Sequence, residues 1–450
     1  MRTYSTSRTL PLRTALIDPA LFGGPQHDTA FARSRAAGAT YVRLLVPWRG
    51  IAPKRRPAGF VASDPTSPGY SWTGFDAIVE SATSAGLTPI LDVSGNPKWA
   101  YARKPQGVNG GTPKTTALAD FATALATHYD GLTAGVPALH VYEVWNEPNL
   151  SLYLNPVSAS TYREMVNAVA DAVHAVDPAN LVVAGGLDPY SHPKSRKSDW
   201  YAIKPLAYMR SLLCLSKGSH PHSTCRGSIR FDVWGHHPYT PYIHGGPFAR
   251  AKVPGDVELG DLPKMRALLQ AGVRLHHVVS ARRVQFWATE FGWNTNPPRK
   301  HSPSLGLAAR WTAESLYQMW RSGISLVTWF LLDDQPRPSY YQSGLYFHSS
   351  SVDRARPKPM RTAFRFPFVA YRHRSSVSVW GRDATSDRQL VTVQRRHGKK
   401  GAWRTVARVR SNGSGVFRAT VGLKASRADW LRAIAPGSGK SLAFSLKPGS

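Results

Sequence analysis

The sequence predicts an α/β protein in which a closed (β/α)8 barrel, or TIM barrel, is followed by a small antiparallel β-sandwich. Short β-rich runs alternate with helical stretches through most of the 450 residues, and eight such runs can be counted. Near Phe366 the period changes to strict two-residue alternation, which predicts the sandwich. We therefore expect a barrel domain over residues 1–372 and an accessory domain over residues 373–450.

The eight predicted barrel strands are short apolar runs of the kind that a buried parallel sheet requires. They cover residues 12–17, 41–46, 88–93, 139–145, 181–184, 231–235, 284–289 and 326–331. Predicted helices over residues 115–128, 160–176 and 305–322 lie between them. In the first helix Ala117, Phe121 and Leu125 recur at helical spacing, and the last ends near Gly323, as helix-stop signals predict.

Half-exposed strands are predicted in the accessory domain. Ala407 and Val409 alternate with Arg408 and Arg410, and turn signals at residues 397–401 and 411–415 separate successive runs. The connection to the barrel has no long Pro, Ser or Gly tether, so we expect this domain to pack on the barrel as support rather than to move as an independent binding module.

Two glutamates follow the fourth and seventh predicted strands. Glu147 lies in Val-Tyr-Glu-Val-Trp-Asn-Glu-Pro-Asn, residues 141–149, and Glu290 in Phe-Trp-Ala-Thr-Glu-Phe-Gly-Trp, residues 286–293. The carboxyl ends of barrel strands surround one concave mouth, so both side chains are expected there. Two carboxylates held across a sugar-sized gap can cleave a glycosidic bond. We interpret Glu143 as structural, paired with an arginine or histidine inside the barrel.

These segments resemble clan A of the retaining glycoside hydrolases, which are (β/α)8 barrels with an Asn-Glu-Pro segment on strand four and a nucleophilic Glu on strand seven. The resemblance rests on Asn146, Glu147 and Pro148 together with Glu290 in Thr-Glu-Phe-Gly, and covers most of the chain. It implies that Glu147 is the general acid/base and Glu290 the nucleophile, with retained anomeric configuration. It also implies that Asn146 hydrogen-bonds the sugar 2-hydroxyl.

The same resemblance implies roles for four further residues. Arg43 matches the strand-two arginine and is expected to pair with Glu290, because a buried arginine needs a carboxylate partner. His237 and Tyr239 follow strand six near the nucleophile, with a packed core histidine as the alternative interpretation of His237. Trp329 on strand eight is expected to form the platform under the sugar.

Other side chains near strand ends are weaker candidates for the cleft. Tryptophan is often a core residue, so each of these indoles either extends the cleft or packs inside: Trp48, Trp99, Trp145 and Trp293. Polar candidates at the mouth are Asp92, Asn96 and Asp333.

The substrate class stays open at this level. The segment around Glu147 is similar to family 39, which contains β-xylosidases and uronide-processing enzymes, whereas Thr-Glu-Phe-Gly around Glu290 is similar to family 5, with endo-acting glucanases and mannanases. Xylosidic, glucosidic and acidic oligo- or polysaccharides all fit, by endo or exo action. The mechanism requires no cofactor, and no metal motif is present. Oligomeric state is not predicted.

Two other functions compete with hydrolysis. A catalytically silent carbohydrate-binding barrel would keep the aromatic cleft but would not need both carboxylates with Arg43 and Tyr239. A polyanion-binding protein would use the net charge of +30, from 57 Lys plus Arg against 27 Asp plus Glu. The basic residues are scattered and no nucleic-acid-binding signature appears, so we do not expect nucleic acid as a partner, while an acidic polysaccharide or an anionic cell surface remains open.

The cellular location of the protein is predicted from its two cysteines and from the start of the chain. Cys214 and Cys225 lie in one loop, where a disulfide would contribute about 3 kcal/mol. Two free thiols, or zinc held by Cys214, His220, His222 and Cys225, are the alternatives to the favoured bridge. No apolar run of membrane-spanning length occurs. We expect a secreted or cell-surface protein whose leader is missing from this chain.

Overall fold

The computed structural model of the protein describes residues 2–6, 9–195, 198–385 and 388–447. Eight parallel strands form a closed barrel, as predicted. Their bounds are β1 Arg13–Ile17, β2 Tyr41–Pro47, β3 Thr88–Ser94, β4 Val141–Val144, β5 Leu181–Leu187, β6 Val233–His236, β7 Gln285–Phe291 and β8 Leu326–Phe330. Each predicted strand is thus confirmed, and the largest difference is at β5, which continues three residues beyond the predicted end.

The strands pair in chain order, and β8 pairs with β1 to close the barrel, with Trp329 opposite Leu16. Because every neighbour is parallel, all carboxyl ends meet at one mouth. This arrangement brings the ends of β2, β4, β6 and β7 around a common space although they are distant in sequence.

Ten α-helices occur within the part of the chain described here. They are α1 Pro19–Phe22, α2 His27–Ala36, α3 Trp48–Ile51, α4 Thr73–Ser84, α5 Thr115–His128, α6 Ala159–Val176, α7 Pro205–Leu212, α8 Leu262–Arg274, α9 Leu305–Arg321 and α10 Pro359–Arg365. The predicted helices are α5, α6 and α9. The hydroxyls of Ser158 and Ser304 accept hydrogen bonds from the first turns of α6 and α9, so serine caps fix where these two helices begin.

Seven barrel strands each contribute one side chain to a separate apolar cluster. Its members are Ala15, Ile90, Val141, Val183, Val233, Trp287 and Leu326, and all are almost completely buried. Such a layer fills the barrel from within, so the interior is packed rather than hollow. A second, larger cluster includes residues of the strands, the helices and the C-terminal sheets.

The C-terminal region contains two sheets, consistent with the predicted sandwich architecture. Strands β9 Phe368–Arg372, β10 Val377–Arg382 and β13 Val416–Val421 form one antiparallel sheet. Strands β11 Leu390–His397, β12 Arg404–Arg410 and β14 Asp429–Ala435 form the other, with short strands Gly439–Lys440 and Phe444–Ser445 beside β14.

One edge of the second sheet comes from the opposite end of the chain. The N-terminal strand Thr3–Ser5 lies parallel to β12, with Tyr4 opposite Val409, which the sequence did not predict. Aromatic contacts join α9 to the first sheet, since the rings of Tyr317 and Trp320 lie 5.4 and 5.5 Å from Trp380. The strand Phe368–Arg372 pairs with β10 although it precedes residue 373, and the division at that residue stays a prediction.

Cys214 and Cys225 form a disulfide, so the favoured pairing is confirmed and neither thiol is left for the two alternatives. A search of the described helices found none that is both long enough and apolar enough to cross a membrane.

Candidate active site

Glu147 lies three residues after the end of β4, on a backbone turn of unusual conformation. Its φ is 43° and that of Trp145 is 68°, both in the left-handed region that side-chain-bearing residues rarely adopt. The Glu147 amide donates to the carbonyl of Gly186 at 3.1 Å, which ties this turn to the end of β5. Strained backbone of this kind persists only where the surrounding structure holds it, and it is common at functional sites.

The carboxyl group of Glu147 is largely buried and contacts a buried histidine. Its Oε1 lies 2.8 Å from Nδ1 of His237, and 11% of the side chain is exposed. Burial, together with the nearby Glu290, raises the pKa of Glu147 well above its usual value. Burial lowers the pKa of His237 to about 3, so this ring is neutral at neutral pH. Glu147 can therefore hold a proton at pH values where an ordinary glutamate has lost it.

Arg43, on β2, is the centre of a buried network of ion pairs and hydrogen bonds. Its Nε donates to Glu143 Oε2 at 2.5 Å, and Nη2 donates to Asp92 Oδ2 and Asn146 Oδ1, each at 3.0 Å. Its Nη1 donates to Glu290 Oε2 at 3.2 Å. Burial alone would lower the pKa of Arg43, but the carboxylates around it raise it above the ordinary value. The guanidinium is thus a fixed positive charge that orients four groups.

Glu290, on β7, is held by two donors of different kinds. The Tyr239 hydroxyl donates to Oε1 at 2.8 Å, and Arg43 contacts Oε2. Burial and the Glu290 charge raise the pKa of Tyr239 well above its usual value. The phenol therefore stays protonated and can donate this hydrogen bond. Each of its two carboxyl oxygens therefore accepts a hydrogen bond from a buried donor, which fixes the orientation of the side chain.

Both glutamates line one cavity of about 520 Å³ at the barrel mouth. Aromatic side chains surround the carboxyl groups, and these are Tyr153, Tyr190, Tyr242, Trp293, Phe330, Tyr340 and Tyr341. Ring faces suit the apolar faces of sugar rings, and a few convergent polar groups fix orientation. The arrangement can hold a sugar beside two carboxyl groups that have different hydrogen-bond partners.

The structure thus brings Arg43, Asn146, Glu147, His237, Tyr239 and Glu290 into one connected site. Glu143 pairs with Arg43, as its structural interpretation predicts, and burial raises its pKa to about 7. Asp92 also belongs to this buried network and is fully inaccessible.

The structure corrects two of the expected substrate contacts, Trp329 as the sugar platform and Trp48 as a candidate cleft residue. Trp329 is completely buried, donates to the Ser343 carbonyl at 2.8 Å and packs against Phe291. Trp48 is also completely buried and stacks on Phe121. Trp329 points away from the mouth because successive residues of a strand face opposite sides, and a short run of sequence does not say which face is which. Trp48 is the first residue of α3, beyond the end of β2, and packs against α5 through Phe121.

Phe330, the residue after Trp329, takes the position at the cavity that was expected of Trp329. Phe330 lines the cavity and contacts Tyr341 edge to face at 5.1 Å. Trp99 is half-buried, donates to the Pro53 carbonyl at 2.8 Å and lies outside this cavity. Trp293 also lines the cavity, and its indole nitrogen donates a hydrogen bond to the hydroxyl of Ser315.

The remaining weak candidates pack below or beside the cavity. Trp145, Asn96 and Asp333 are almost completely buried and do not line it. Asp333 lies near Asp18, and burial together with that carboxyl raises its pKa to about 7.

Sequence reasoning missed several residues of the cavity. Asp188 follows β5, and burial raises its pKa well above the usual value, while the guanidinium of Arg299 lies 3.7 Å above the Tyr340 ring. A carboxylate directly after a barrel strand was a signal for Asp188. Tyr340 and Tyr341 lie in the long loop after β8, and only the fold of that loop brings them to the mouth.

A closed parallel barrel with two glutamates from strands four and seven at one mouth defines a glycoside hydrolase of clan A. The sequence model of the family described as "Cellulase (glycosyl hydrolase family 5)" matches residues 5–246, more than half of the chain. The protein therefore belongs to glycosyl hydrolase family 5. That match includes Glu147 and ends before Glu290.

Other proteins are similar over different extents. A β-xylosidase of Geobacillus stearothermophilus is 30% identical over 135 residues, which span 27% of this chain and 26% of the relative, about a quarter of its length. A family 39 β-xylosidase from Caulobacter crescentus has a TM-score of 0.54 at 16% identity, covering 87% of this chain and 85% of that one. A family 39 hydrolase from Bacteroides cellulosilyticus WH2 has a TM-score of 0.56 at 14% identity, covering 95% and 81%. The two structures support the fold.

Proposed function

We propose that the protein hydrolyses β-glycosidic bonds in oligo- or polysaccharides by double displacement, with Glu290 as nucleophile and Glu147 as general acid and base. One observation carries this proposal: two carboxyl groups of a single cavity lie in opposite electrostatic environments. Burial favours the protonated form of Glu147, whereas Arg43 and Tyr239 donate hydrogen bonds to the two carboxyl oxygens of Glu290. Pairs of titratable groups whose environments favour different protonation states identify acid and base.

In the first step, a Glu290 oxygen attacks the anomeric carbon while Glu147 gives its proton to the leaving oxygen. A carbon–oxygen bond to the enzyme forms as the glycosidic bond breaks, and the sugar passes through an oxocarbenium-like transition state. Arg43 and Tyr239 hold the attacking carboxylate in a fixed orientation, so little conformational entropy is lost when it is positioned for attack.

In the second step, Glu147, now ionised, takes a proton from water, and that water displaces Glu290 from the anomeric carbon. Two inversions give net retention. The Oδ1 atom of Asn146 already accepts from Arg43, which leaves its amino group as a donor for a sugar hydroxyl. Such a bond to the 2-hydroxyl would strengthen in the transition state.

For the substrate, β-xylosides are the first class to test, because the similar proteins from Geobacillus stearothermophilus and Caulobacter crescentus are named β-xylosidases. Glucosides, mannosides and uronides belong in the same panel, since the aromatic cavity fits any pyranose. We further propose that the enzyme acts on polysaccharide outside the cell. The Cys214–Cys225 disulfide supports this, because such bonds persist in oxidising compartments. Immunodetection in culture medium and cell fractions tests it, and protein confined to the reducing cytosol would contradict it.

The decisive experiment compares the wild type with Glu290→Ala and Glu147→Ala on aryl β-glycosides, with and without azide. We expect both variants to lose activity. Azide should then restore turnover with a β-glycosyl azide product for Glu147→Ala and an α-glycosyl azide product for Glu290→Ala. The opposite assignment of products would exchange the two roles, and full activity in either variant would refute the mechanism.

A further inference from the structure

Two strands of the C-terminal sheet, β11 and β14, present a polar and aromatic face on the side opposite the core. Along β14, the buried Leu431 and Ala433 alternate with the half-buried Trp430 and Arg432. Along β11 the same alternation leaves Gln394 partly exposed opposite Arg432, and Arg396 opposite Trp430. The pleat therefore places these four side chains on one outer face.

Indole and guanidinium groups alternate in a row on this face. The Arg396 guanidinium lies 5.6 Å from the Trp430 ring and 4.7 Å from the Trp403 ring. On the other side, the Arg432 guanidinium lies 4.1 Å from Trp403. We call Trp403, Trp430, Arg396 and Arg432 the Trp–Arg row. Arg432 also donates through Nε and Nη2 to Gln394 Oε1, at 3.0 and 2.8 Å, which fixes the plane of its guanidinium.

The positive charge of the row is not neutralised within the described part of the chain. Neither Arg396 nor Arg432 forms an ion pair there, and Nε of Arg396 has no hydrogen-bond acceptor. The adjacent carboxylate, Asp429, is fully buried and pairs instead with Arg395 at 2.8 Å and His397 at 2.9 Å.

Two further cations, Lys399 and Lys400, lie exposed in the turn between β11 and β12. Burial and the neighbouring Arg396 charge lower the pKa of Arg432, the effect expected of like charges held together. A counter-anion would relieve this repulsion.

We propose that the Trp–Arg row binds a polysaccharide that carries carboxylate groups. Planar guanidinium groups held on aromatic rings are preorganised to donate two parallel hydrogen bonds to a carboxylate. Indoles beside them offer apolar surface to sugar rings. The choice of a polysaccharide over other polyanions rests on the proposed function. The row would hold an acidic polymer on the accessory domain while the barrel cleaves glycosidic bonds.

The test is affinity electrophoresis of the full-length protein through gels that contain polygalacturonate, neutral xylan or no polymer. The variant is Arg396→Gln/Arg432→Gln, and the matched control is Arg274→Gln/Arg283→Gln, which removes the same charge from exposed positions of the barrel domain. We expect polygalacturonate to retard the wild type and the control, and the row variant to bind it at least about tenfold more weakly. Hydrolysis of a small aryl glycoside should be unchanged in both.

Three results would overturn the inference. Equal losses in the row variant and the control would mean that diffuse charge alone attracts the polymer. Equal retardation of the wild type and the row variant would mean that the row only stabilises the sheet, and a lower thermal midpoint of the variant would agree with that. Displacement of polygalacturonate by duplex DNA at equal charge concentration would point to an unselective polyanion surface. Because retardation needs no turnover, selective loss of binding supports the inference even if no glycoside is hydrolysed.

Discussion

The guanidinium of Arg43 lies 3.2 Å from Oε2 of Glu290, although 247 positions separate the two residues in the chain. Arg43 belongs to β2 and Glu290 to β7, and the closed barrel alone makes them neighbours. The same guanidinium contacts Asp92, Glu143 and Asn146, so one buried side chain sets the position of the proposed nucleophile and of the residue before Glu147.

Replacing Arg43 by lysine should reduce kcat strongly. Lysine keeps the charge but cannot reach four acceptors with a planar fork, so Glu290 and Asn146 would lose their fixed orientation. We expect kcat to fall by about 10²–10³-fold. Steady-state kinetics on the preferred aryl glycoside measures this. Arg13→Lys, at an exposed site at the other end of the barrel, is the matched control, and equal effects of the two changes would contradict the argument.

Tyr239→Phe removes one hydrogen bond to Glu290 and leaves the ring. Hydrogen bonds to charged groups contribute about 1.5–3 kcal/mol, so kcat should fall by about 10–100-fold. The thermal midpoint should change little, because the ring still packs near Phe291. Unchanged kcat would show that Arg43 alone orients the carboxylate.

The alkaline limb of the kcat/KM profile should report Glu147. Burial raises its pKa, so the protonated acid persists above the usual range and activity falls as pH rises through that raised value. In Glu147→Gln, a dinitrophenyl glycoside, whose leaving group needs no proton, should form the glycosyl enzyme with a flat profile on the alkaline side. His237→Asn should keep the limb, because His237 with a pKa of about 3 is neutral throughout. Loss of the limb in His237→Asn would refute this assignment.

Trp329→Ala and Phe330→Ala should act on different properties. Removing the fully buried Trp329 leaves a cavity and should cost about 3–5 kcal/mol of unfolding free energy. Removing Phe330, which lines the substrate cavity, should mainly raise KM. Denaturant unfolding and kinetics on both variants separate the two effects. A raised KM with unchanged stability in Trp329→Ala would restore that residue as the sugar platform.

Asp333→Asn should make the protein more stable at pH 8 than the wild type. Neither carboxyl oxygen of Asp333 has a hydrogen-bond partner within the described residues, and its pKa is raised to about 7 by burial and by Asp18. The folded protein therefore keeps this proton up to about pH 7, whereas the unfolded chain releases it near its ordinary value of 3.8. Stability is lost as pH rises between those values. Thermal midpoints at pH 5 and pH 8 measure this, and a variant with the wild-type pH dependence would contradict it.

Much of the barrel was predictable from sequence because its strands are apolar runs separated by amphipathic helices. The helix Thr115–His128 was predicted to the residue, since Ala117, Phe121 and Leu125 define its buried face. Glu147 and Glu290 were found because each lies at or just beyond the carboxyl end of such a strand. The parallel N-terminal strand Thr3–Ser5 was not predictable, because three residues carry no pattern and its partner β12 lies some four hundred positions away.

The tryptophans show where local pattern fails. Trp329 and Phe330 are adjacent on β8, and a shift of one residue exchanges the face that each presents. Both are large and apolar, so composition does not distinguish the one that packs inside from the one that lines the cavity. Tyr340 and Tyr341 reach the mouth only because the loop after β8 folds back over it.

By itself, the sequence determined the order of strands and helices, the pair of carboxylates and the segments that carry them, because hydrophobic periodicity and strand-end positions are local properties. Only the tertiary structure decided the burial that raises the pKa of Glu147, the hydrogen-bond donors to Glu290, the four contacts of Arg43, the ring that lines the cavity and the Trp–Arg row. These depend on burial and on distances between residues far apart in the chain, which exist only once the barrel has closed and the sheets have packed.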